Sequence, residues 1–332
     1  MSVQVKAQPE AATRTRTGAY ALSVLAAPLN AYILRTLATG PASLAELRQA
    51  AGGPPQTTVR KHLAALVDKG IITRERKRNF GGNVSYELQK SGRDLLGTAG
   101  VVNAWLAESP SGLLELGTIA AKSAIKALVD GWSTSLLRAL AARPLTLTQL
   151  DALISGVSYP SLERRLVAMR MARQVQPAWS EGRGTPYAVT DWLRSSAGPL
   201  VSAACWERTH LPKQTAPIGR IDIEAAFLLA MPLLKLDSSA TGVCRLGVET
   251  VNSQRRIVGV LVGIEEGDVT YCRARLEGVA AARVTGSINA WFRALGRGTV
   301  NDLEIDGDGE LARAVVDGLH ARLVKVASSS DR

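Results

Sequence analysis

An internal repeat constrains this chain more than any other feature of its sequence. Shifting the sequence by 103 positions aligns residues 34–63 with residues 137–166 without a gap. The aligned pairs are Leu34/Leu137, Leu37/Leu140, Pro41/Pro144, Ser43/Thr146, Leu44/Leu147, Leu47/Leu150, Thr58/Ser161 and Leu63/Leu166. Further on, a shift of 101 pairs Tyr86/Tyr187, Leu88/Val189, Arg93/Arg194 and Trp105/Trp206. The chain is therefore expected to contain two copies of one domain that differ by two residues in a loop.

Each copy has the pattern of a helix, a turn and a second helix. Ser43 with Glu46, and Thr146 with Gln149, form the capping-box spacing that starts a helix. Glycines near residues 52 and 156 then break this helix before another begins. The apolar spacing predicts that the second helix covers residues 56–68 in the first copy and 160–171 in the second.

A strand pair follows the second helix of each copy. Strand-like residues occupy 71–76 and 84–88 in the first copy, and 174–179 and 186–189 in the second, with a Gly-rich turn between each pair. A closing helix holds Trp105 or Trp206 among apolar residues. This order predicts a helix-turn-helix with a two-stranded wing in each copy.

The sequences that carry this pattern resemble bacterial winged-helix regulators of the HxlR and MarR kind. They are "TTVRKHLAALVDKGIITRERK" in the first copy, and "YPSLERRLVAMRMARQV" followed by "GRGTPYAVTDWLR" in the second. The resemblance covers residues 22–108 and 118–210. It implies double-stranded DNA as a partner. Members of these families usually carry one such domain and dimerise. A single chain with two copies is therefore expected to imitate such a dimer, or two chains are expected to pair and present four winged-helix domains.

The residues expected to touch DNA lie on the exposed side of each second helix and on the wings. A recognition helix reads base edges in the major groove with its exposed N-terminal side chains. In the first copy they are Gln56, Thr57, Arg60 and Lys61, with Arg76, Lys77 and Arg78 on the wing. In the second copy they are Tyr159, Ser161, Arg164 and Arg165, with Arg183 on the wing. His62 fits a packing role as well as a DNA contact.

Charge is segregated along the chain in the way that a polyanionic partner favours. The net charge is +11. Residues 1–216 hold 26 Lys and Arg against 14 Asp and Glu, whereas residues 217–332 hold 14 against 15. The basic excess therefore lies in the two copies and the N-terminal tail, as expected of a nucleic-acid-binding front.

The expected domain division follows these composition changes. Residues 1–20 are expected to form a flexible basic tail. The two interpretations of this tail are a disordered segment and an arm that binds in a DNA minor groove. The two winged-helix domains cover 21–108 and 118–210, and a third domain covers 218–328. The fold class is α+β and multidomain.

The third domain is expected to combine a largely antiparallel sheet with helices. Helices are predicted at 223–234, 288–295 and from 310 onward, and strands at 244–250, 257–265, 269–276 and 302–305. The segments "VTGSINAWFRALGRG" and "LEIDGDGELARAVVDGLHARL" resemble the sterol-carrier-like fold. That resemblance implies an apolar ligand held between sheet and helices, and the candidate lining residues are Phe227, Leu228, Met231, Trp291, Phe292 and Leu295. Plain core packing explains the same pattern.

The sequence lacks the patterns of catalysis, metal binding and membrane insertion. His62, His210 and His320 lie far apart, and neither a GxSxG motif nor a Walker loop occurs. Cys205, Cys244 and Cys272 show no ligand spacing and are interpreted as buried apolar residues. No run approaches the roughly 18 apolar residues of a membrane span. The chain is therefore expected to be a cytoplasmic non-enzyme without cofactor or metal.

Several functions remain open at this point. The leading hypothesis is a sequence-specific regulator that uses two recognition helices, with a third domain that binds an apolar effector or pairs two chains. One alternative is an apolar-ligand carrier or protein-interaction module. Another is a non-specific architectural DNA binder, which would bind all sequences with equal affinity.

Overall fold

The first third of the molecule combines helices with a small three-stranded sheet. The structure is a computed structural model, and it describes residues 17–76, 84–130, 134–154, 156–179, 184–213, 216–250 and 256–324. The elements of the first third are α1 (Ala19–Ala26), α2 (Pro28–Thr39), β1 (Ala42–Ser43), α3 (Leu44–Ala50), α4 (Gln56–Asp68), β2 (Ile72–Arg76), β3 (Val84–Leu88) and α5 (Lys90–Ala107). The strand order in its sheet is β1-β3-β2.

A similar order of elements recurs in the second third, without a strand equivalent to β1 and with the closing helix divided in two. These elements are α6 (Ile119–Asp130), α7 (Thr134–Ala142), α8 (Leu147–Leu153), α9 (Tyr159–Met171), β4 (Val175–Pro177), β5 (Tyr187–Val189), α10 (Asp191–Ser195) and α11 (Ala197–His210). Helices α4 and α9 both have 13 residues. Ala42 pairs with Tyr86, and the equivalent Leu145 bridges to Tyr187. The sequence repeat is therefore matched by equivalent backbone pairings.

Both predicted capping boxes are confirmed. The Ser43 hydroxyl accepts the N–H of Glu46, and the Glu46 carboxylate accepts the N–H of Ser43. Thr146 and Gln149 make the same reciprocal pair at α8. Since each pair satisfies two N–H groups that a helix N-terminus leaves unpaired, short helices of seven residues are held in place.

The two thirds pack against each other through α5 and α11, which form the largest helix–helix contact of the described chain. The indole Nε1 of Trp105 donates to the carbonyl of Trp192 at 2.8 Å. The indole Nε1 of Trp206 donates to the carbonyl of Ser91 at 2.7 Å. Under the shift of 101 residues these two bonds are equivalent, because Trp105 corresponds to Trp206 and Ser91 to Trp192. Such reciprocity is the signature of an isologous, two-fold contact.

One further contact breaks this symmetry. Trp192 stacks on Trp105 with ring centroids 4.7 Å apart and an interplanar angle of 8°. Its indole also donates to the carbonyl of Trp105 at 2.8 Å. Position 91 holds a serine, whose hydroxyl donates to the carbonyl of Gly70 instead. The stacked pair thus adds to a contact that is otherwise shared by both copies.

A buried carboxylate on α11 fixes the start of α1. Glu207 is 3% exposed and accepts the N–H groups of Gly18, at 2.8 Å, and Ala21, at 2.9 Å. Negative charge is favourable at a helix N-terminus. This contact corrects the predicted extent of the tail, because residues 17–20 belong to the folded body while residues 1–16 lie outside the described residues.

The last third is a sheet covered by helices on one face. Its elements are α12 (Arg220–Ala230), a 3-10 turn (Met231–Leu233), β6 (Gly242–Thr250), β7 (Arg256–Glu265), β8 (Asp268–Arg273), β9 (Ala282–Ser287), α13 (Ile288–Arg297), β10 (Glu304–Gly307) and α14 (Gly309–Val324). The sheet order is β10-β9-β6-β7-β8. Strands β6 and β9 pair in parallel and the other neighbours pair antiparallel, which agrees with the expected largely antiparallel sheet.

Two details of this third differ from the sequence analysis. Strand β9 was not predicted, because its outward positions hold Arg283, Thr285 and Ser287 and its only large apolar residue is Val284. The predicted helix at 223–234 is α12 followed by a 3-10 turn. Pro232 explains that break, since it has no N–H to continue the α-helix.

Polar contacts join the last third to the second. The guanidinium of Arg138 on α7 donates two hydrogen bonds, at 2.7 and 2.9 Å, to the carboxylate of Glu224 on α12. Glu224 is 3% exposed. The hydroxyl of Thr134 donates to Asp222 at 2.8 Å. Because a buried charge is costly without a partner, these bonds fix α12 against α7.

No single helix in the described ranges is long and apolar enough to cross a membrane. Helices α1 and α2 reach that length and apolarity only as a pair, and they meet at an angle of 86°.

We expect that replacing Trp105 with alanine lowers the free energy of unfolding by about 3 kcal/mol, because it removes a buried ring and one of the two donors to the Trp192 carbonyl, the other being the Ser195 hydroxyl. Urea unfolding followed by circular dichroism measures the change. Trp179→Ala is the matched control, since Trp179 is 84% exposed and its loss should change stability by less than about 0.5 kcal/mol. Equal effects of the two substitutions would show that the stacked pair does not hold the halves together.

Glu207 predicts a dependence of stability on pH. Burial raises the pKa of its carboxyl above the ordinary value, although the backbone N–H groups of α1 act to lower it. A raised pKa in the folded state means that the contribution to stability is complete below the unfolded pKa and is lost as pH rises through the folded pKa. We therefore expect the wild type to lose stability relative to Glu207→Gln as the pH rises above the ordinary carboxyl pKa of 4.5. Parallel curves for the two proteins would contradict this.

Candidate nucleic-acid interface

Helix α4 stands on the surface with a polar face turned outward. Val59, Leu63 and Leu66 are buried against the domain. The predicted contact residues Gln56, Thr57, Arg60 and Lys61 are all exposed. This arrangement leaves the N-terminal half of α4 free to present amide, hydroxyl and charged groups to a partner.

The turn before α4 is built from two glycines in the left-handed region. Gly52 and Gly53 have φ of 81° and 76°. Residues with a Cβ rarely adopt such angles, so glycine allows the chain to reverse sharply here. The Nε of Arg48 donates to the carbonyl of Pro54 at 2.9 Å and ties the turn to α3. The angle between α3 and α4 is therefore set by local hydrogen bonds.

A buried polar contact supports α4 from below. Asn30 on α2 donates its amide to the carbonyl of Val24 at 3.0 Å, so its Oδ1 faces His62 and accepts the Nδ1–H at 2.7 Å. Burial, together with the nearby charge of Lys61, lowers the pKa of His62. A neutral imidazole thus holds α4 to α2. The sequence left the role of His62 open, and its partner lies 32 residues away, so no local pattern could have indicated the contact.

The first wing continues the basic surface. Strands β2 and β3 pair antiparallel from Ile72–Leu88 to Arg76–Val84. The predicted contact residue Arg76 is exposed on β2, and so are its neighbours Arg74 and Glu75. Lys77 and Arg78 lie outside the described residues, in the segment 77–83.

Helix α9 occupies the equivalent place in the second copy but presents a different surface. Tyr159 and Arg164 are exposed, whereas Ser161 and Arg165 are half-buried. Arg164 folds back on its own helix, where it donates to the carbonyl of Pro160 and to the hydroxyl of Ser161, both at 3.3 Å. Arg183 lies outside the described residues, in the segment 180–183. Of the predicted contact cations, α4 thus exposes both Arg60 and Lys61, whereas α9 exposes only Arg164.

Apolar side chains are exposed along the same side of α9. Val167 is 55% exposed and Met171 78%. Trp179, which follows β4, is 84% exposed. At the positions equivalent to Val167 and Met171, helix α4 holds Ala64 and Asp68. The two helices share length and placement, but they differ in what they offer to a partner.

The residues predicted to line a ligand site are divided between two places. Phe227, Leu228, Met231 and Trp291 are at most 1% exposed and form part of the core. The rings of Phe227 and Trp291 meet edge to face at 4.7 Å. These side chains fill the space between sheet and helices, where the resemblance to the sterol-carrier-like fold implied an apolar ligand.

Phe292 and Leu295 line a separate cavity where α11, α12 and α13 meet. Its walls are mostly apolar, with Asp222 and Thr17 at the edge. Its volume is about 40 Å³, room for roughly three water molecules. Pockets for drug-sized ligands usually measure about 300–1,000 Å³. A larger molecule could enter only if these helices separated.

The thiols show no sign of activation. Burial raises the pKa of Cys205 to about 11, and those of Cys244 and Cys272 to about 12. Each remains protonated at neutral pH, and a protonated thiol is a poor nucleophile and metal ligand. Among the described residues, no cluster of three His, Cys, Asp or Glu side chains is placed to hold a metal ion.

Comparison with known proteins gives a domain match and similarities to solved structures. No curated protein matches the chain. A solution structure from Thermus thermophilus, of a conserved hypothetical protein described as possibly a sterol carrier protein, is similar at 21% sequence identity. The similarity covers 27% of this chain and 69% of that one with a TM-score of 0.22, so it carries no further inference.

The domain match falls on the interface described above. Residues 25–75 match a family model described as a helix-turn-helix domain. That segment runs from the end of α1 through β2 and includes α3, the glycine turn and α4. Helix-turn-helix domains bind double-stranded DNA through their second helix. Residues 25–75 of this chain thus match a helix-turn-helix domain, with α4 in the place of that second helix.

Proposed function

We propose that this protein is a sequence-specific transcriptional regulator that binds double-stranded DNA through two winged-helix domains in tandem. The observation that carries the proposal is the exposed polar face of α4 within the helix-turn-helix domain at residues 25–75. It acts by binding rather than by catalysis, and it works in the cytoplasm, where the DNA of a bacterial cell lies.

Helix α4 is the principal base-reading helix in this proposal. Arginine donates two parallel hydrogen bonds to guanine, and glutamine pairs in the same way with adenine. Gln56 and Arg60 supply these groups one helical turn apart on the exposed face. Lys61 and Thr57 fit contacts to phosphate, which position the helix without selecting a sequence.

Helix α9 is the second reading helix, and we expect it to contribute less. This proposal is supported by the position of α9, which follows a helix with a capping box, α8, as α4 follows α3. Arg164 would have to leave its contacts with Pro160 and Ser161 to reach a base. Tyr159, Ser161 and Arg165 complete the proposed contact surface.

The wings are proposed to contact the DNA backbone beside each helix. Arg76 is directed outward at the end of β2, and the sequence continues with Lys77 and Arg78. In the sequence of the second copy, Arg183 lies between β4 and β5. Cations at such turns bind phosphates and make affinity fall as salt concentration rises.

We also propose that an apolar ligand modulates DNA binding at the cavity between α11, α12 and α13. Helix α11 lines the cavity and packs on both α5 and α1 of the first copy. A ligand that separates these helices would move α11, and with it the relation between the two copies. A ligand changes DNA affinity only through its different affinities for the two arrangements.

DNA binding is tested by selecting fragments from genomic DNA with the purified full chain. The best fragment is then titrated against a scrambled one at two salt concentrations. We expect Arg60→Ala to weaken specific binding by at least about tenfold and to reduce discrimination between the fragments. Arg164→Ala should weaken it only a few fold, since that side chain is held by its own helix.

The control for both variants is Arg273→Ala, which removes the same charge from β8, on the far third of the chain. It should leave specific binding unchanged. Equal binding of both fragments would contradict sequence-specific regulation and favour an architectural role. Specific binding that survives Arg60→Ala unchanged would show that α4 does not read the bases.

Ligand modulation is tested with 1-hexanol as the apolar probe. We expect hexanol to change the affinity of the wild type for the selected fragment and to leave Ala226→Leu unaffected, because Ala226 lines the cavity and a leucine there fills it. The same response in both proteins, or none in either, would contradict a ligand site at this junction.

A further inference from the structure

The face of the five-stranded sheet that is turned away from the helices contains a groove. Residues alternate between the two faces along each strand. Cys244, Leu246 and Val284 are fully buried beneath the helices. Their neighbours Arg245 and Arg283 therefore lie on the opposite face, where they line a groove of about 480 Å³. That volume is within the range of small-molecule sites and about twelve times that of the junction cavity.

Two arginines stand side by side at one end of this groove. Arg245 on β6 and Arg283 on β9 are direct partners in the parallel register. Like charges opposite each other on neighbouring strands are destabilising. A bound anion placed between the two guanidinium groups would remove that repulsion.

The hydrogen bonding of these arginines is incomplete. One terminal nitrogen of Arg245 donates to the carbonyl of Gly278, but its Nε is buried and has no acceptor among the described residues. Arg283 makes no hydrogen bond or ion pair in that part of the chain. A buried donor without an acceptor is uncommon and costs free energy. A carboxylate offers several acceptor positions and suits paired guanidinium groups.

The edge strand beside the arginines carries negative charge. Asp306 on β10 lies opposite Arg283 in the antiparallel register, and Glu304 lies opposite Thr285. The hydroxyl of Thr285 donates to the carboxylate of Glu304 at 3.4 Å. Both acidic residues line the groove, so positive charge on β6 and β9 faces negative charge on β10. A ligand that is only anionic would match one side of this surface and be repelled by the other.

The remaining lining is apolar. Ile257 and Leu276 line the groove, and Ile257 is 42% exposed. Ile305 also borders the groove, but it pairs with the buried Val284, so its side chain lies on the helix-covered face. Two residues beyond Arg245, Gly247 on β6 lies opposite Gly259 on β7. Neither glycine has a side chain to fill the groove at this pair. A Cβ added at Gly247 would lie 2.6 Å from the Cγ2 of Ile257, which shows how closely the wall approaches the strand.

We propose that this groove binds a short zwitterionic peptide with apolar side chains. Its carboxylate lies between Arg245 and Arg283, its ammonium group lies near Asp306 in the negative field of β10, and its side chains contact Ile257 and Leu276. The spacing supports this size. The distance from the midline between β6 and β9 to β10 is about one and a half strand spacings, or about 7 Å. Two extended residues also span about 7 Å.

The test uses the dipeptide leucyl-leucine and the intact chain in isothermal titration calorimetry. We expect one saturable site, with a dissociation constant between about 10 µM and about 1 mM. Two end-blocked forms separate the charges. N-acetyl-leucyl-leucine lacks the ammonium group and leucyl-leucine amide lacks the carboxylate, and each should bind at least about tenfold more weakly. Equal binding of the acetylated form would overturn the zwitterionic assignment and indicate a site for a free carboxyl terminus.

Variants place the site on the sheet. Arg283→Gln and Asp306→Asn should each weaken leucyl-leucine binding by at least about tenfold. Arg245 is not used, because it also holds the carbonyl of Gly278. The matched control is Arg273→Gln. Arg273 on β8 and Arg245 on β6 both pair with Leu261 of the strand between them, β7. Arg273 stacks on Tyr271, however, and does not line the groove. No saturable binding of leucyl-leucine, or equal losses in Arg273→Gln and Arg283→Gln, would overturn the proposal.

Discussion

The rest of the molecule depends on the contact between α5 and α11. Each helix closes one copy of the repeat. The indole of Trp206 on α11 donates to the backbone of α5, and the indole of Trp105 on α5 donates to the backbone of α10, the short helix that precedes α11. Buried aromatic rings supply large apolar area, while the N–H groups fix the register of the two helices. Because α11 also holds α1 through Glu207 and lines the junction with α12, one helix connects all three parts of the chain. The relative placement of the two proposed DNA-contacting helices, α4 and α9, is therefore determined by the contact between α5 and α11 and not by the residues proposed to touch DNA.

The two copies show what duplication keeps and what it changes. The capping boxes, the seven-residue helices that they start and the 13-residue helices α4 and α9 are equivalent in both. The exposed side chains of α4 and α9 are not, since Arg60 corresponds to Glu163. Core positions are constrained by packing, whereas exposed positions are constrained only by what they bind. The proposed division between a principal and a lesser reading helix follows from this difference.

Local patterns predicted the elements well, and contacts distant in sequence escaped them. The boundaries of α4, α9 and the wing strands follow from apolar spacing, caps and glycines, which act over a few residues. Strand β9 was missed because its alternation is carried by small and polar side chains. The Trp105–Trp192 stack, the Asn30–His62 bond and the groove at Arg245 and Arg283 depend on tertiary placement. The exposed residues of α4 were foreseeable because its buried stripe fixes which side faces solvent.

Joining both halves of an isologous contact in one polypeptide has a consequence for mass action. A dimer of separate chains dissociates on dilution, so its geometry depends on how many molecules a cell contains. Here the partner of Trp105 is always present, tethered through the segment that leads from α5 to α6. The effective concentration of one half around the other is fixed by that tether and not by expression. The paired arrangement of the two copies is consequently retained even when only a few molecules are made.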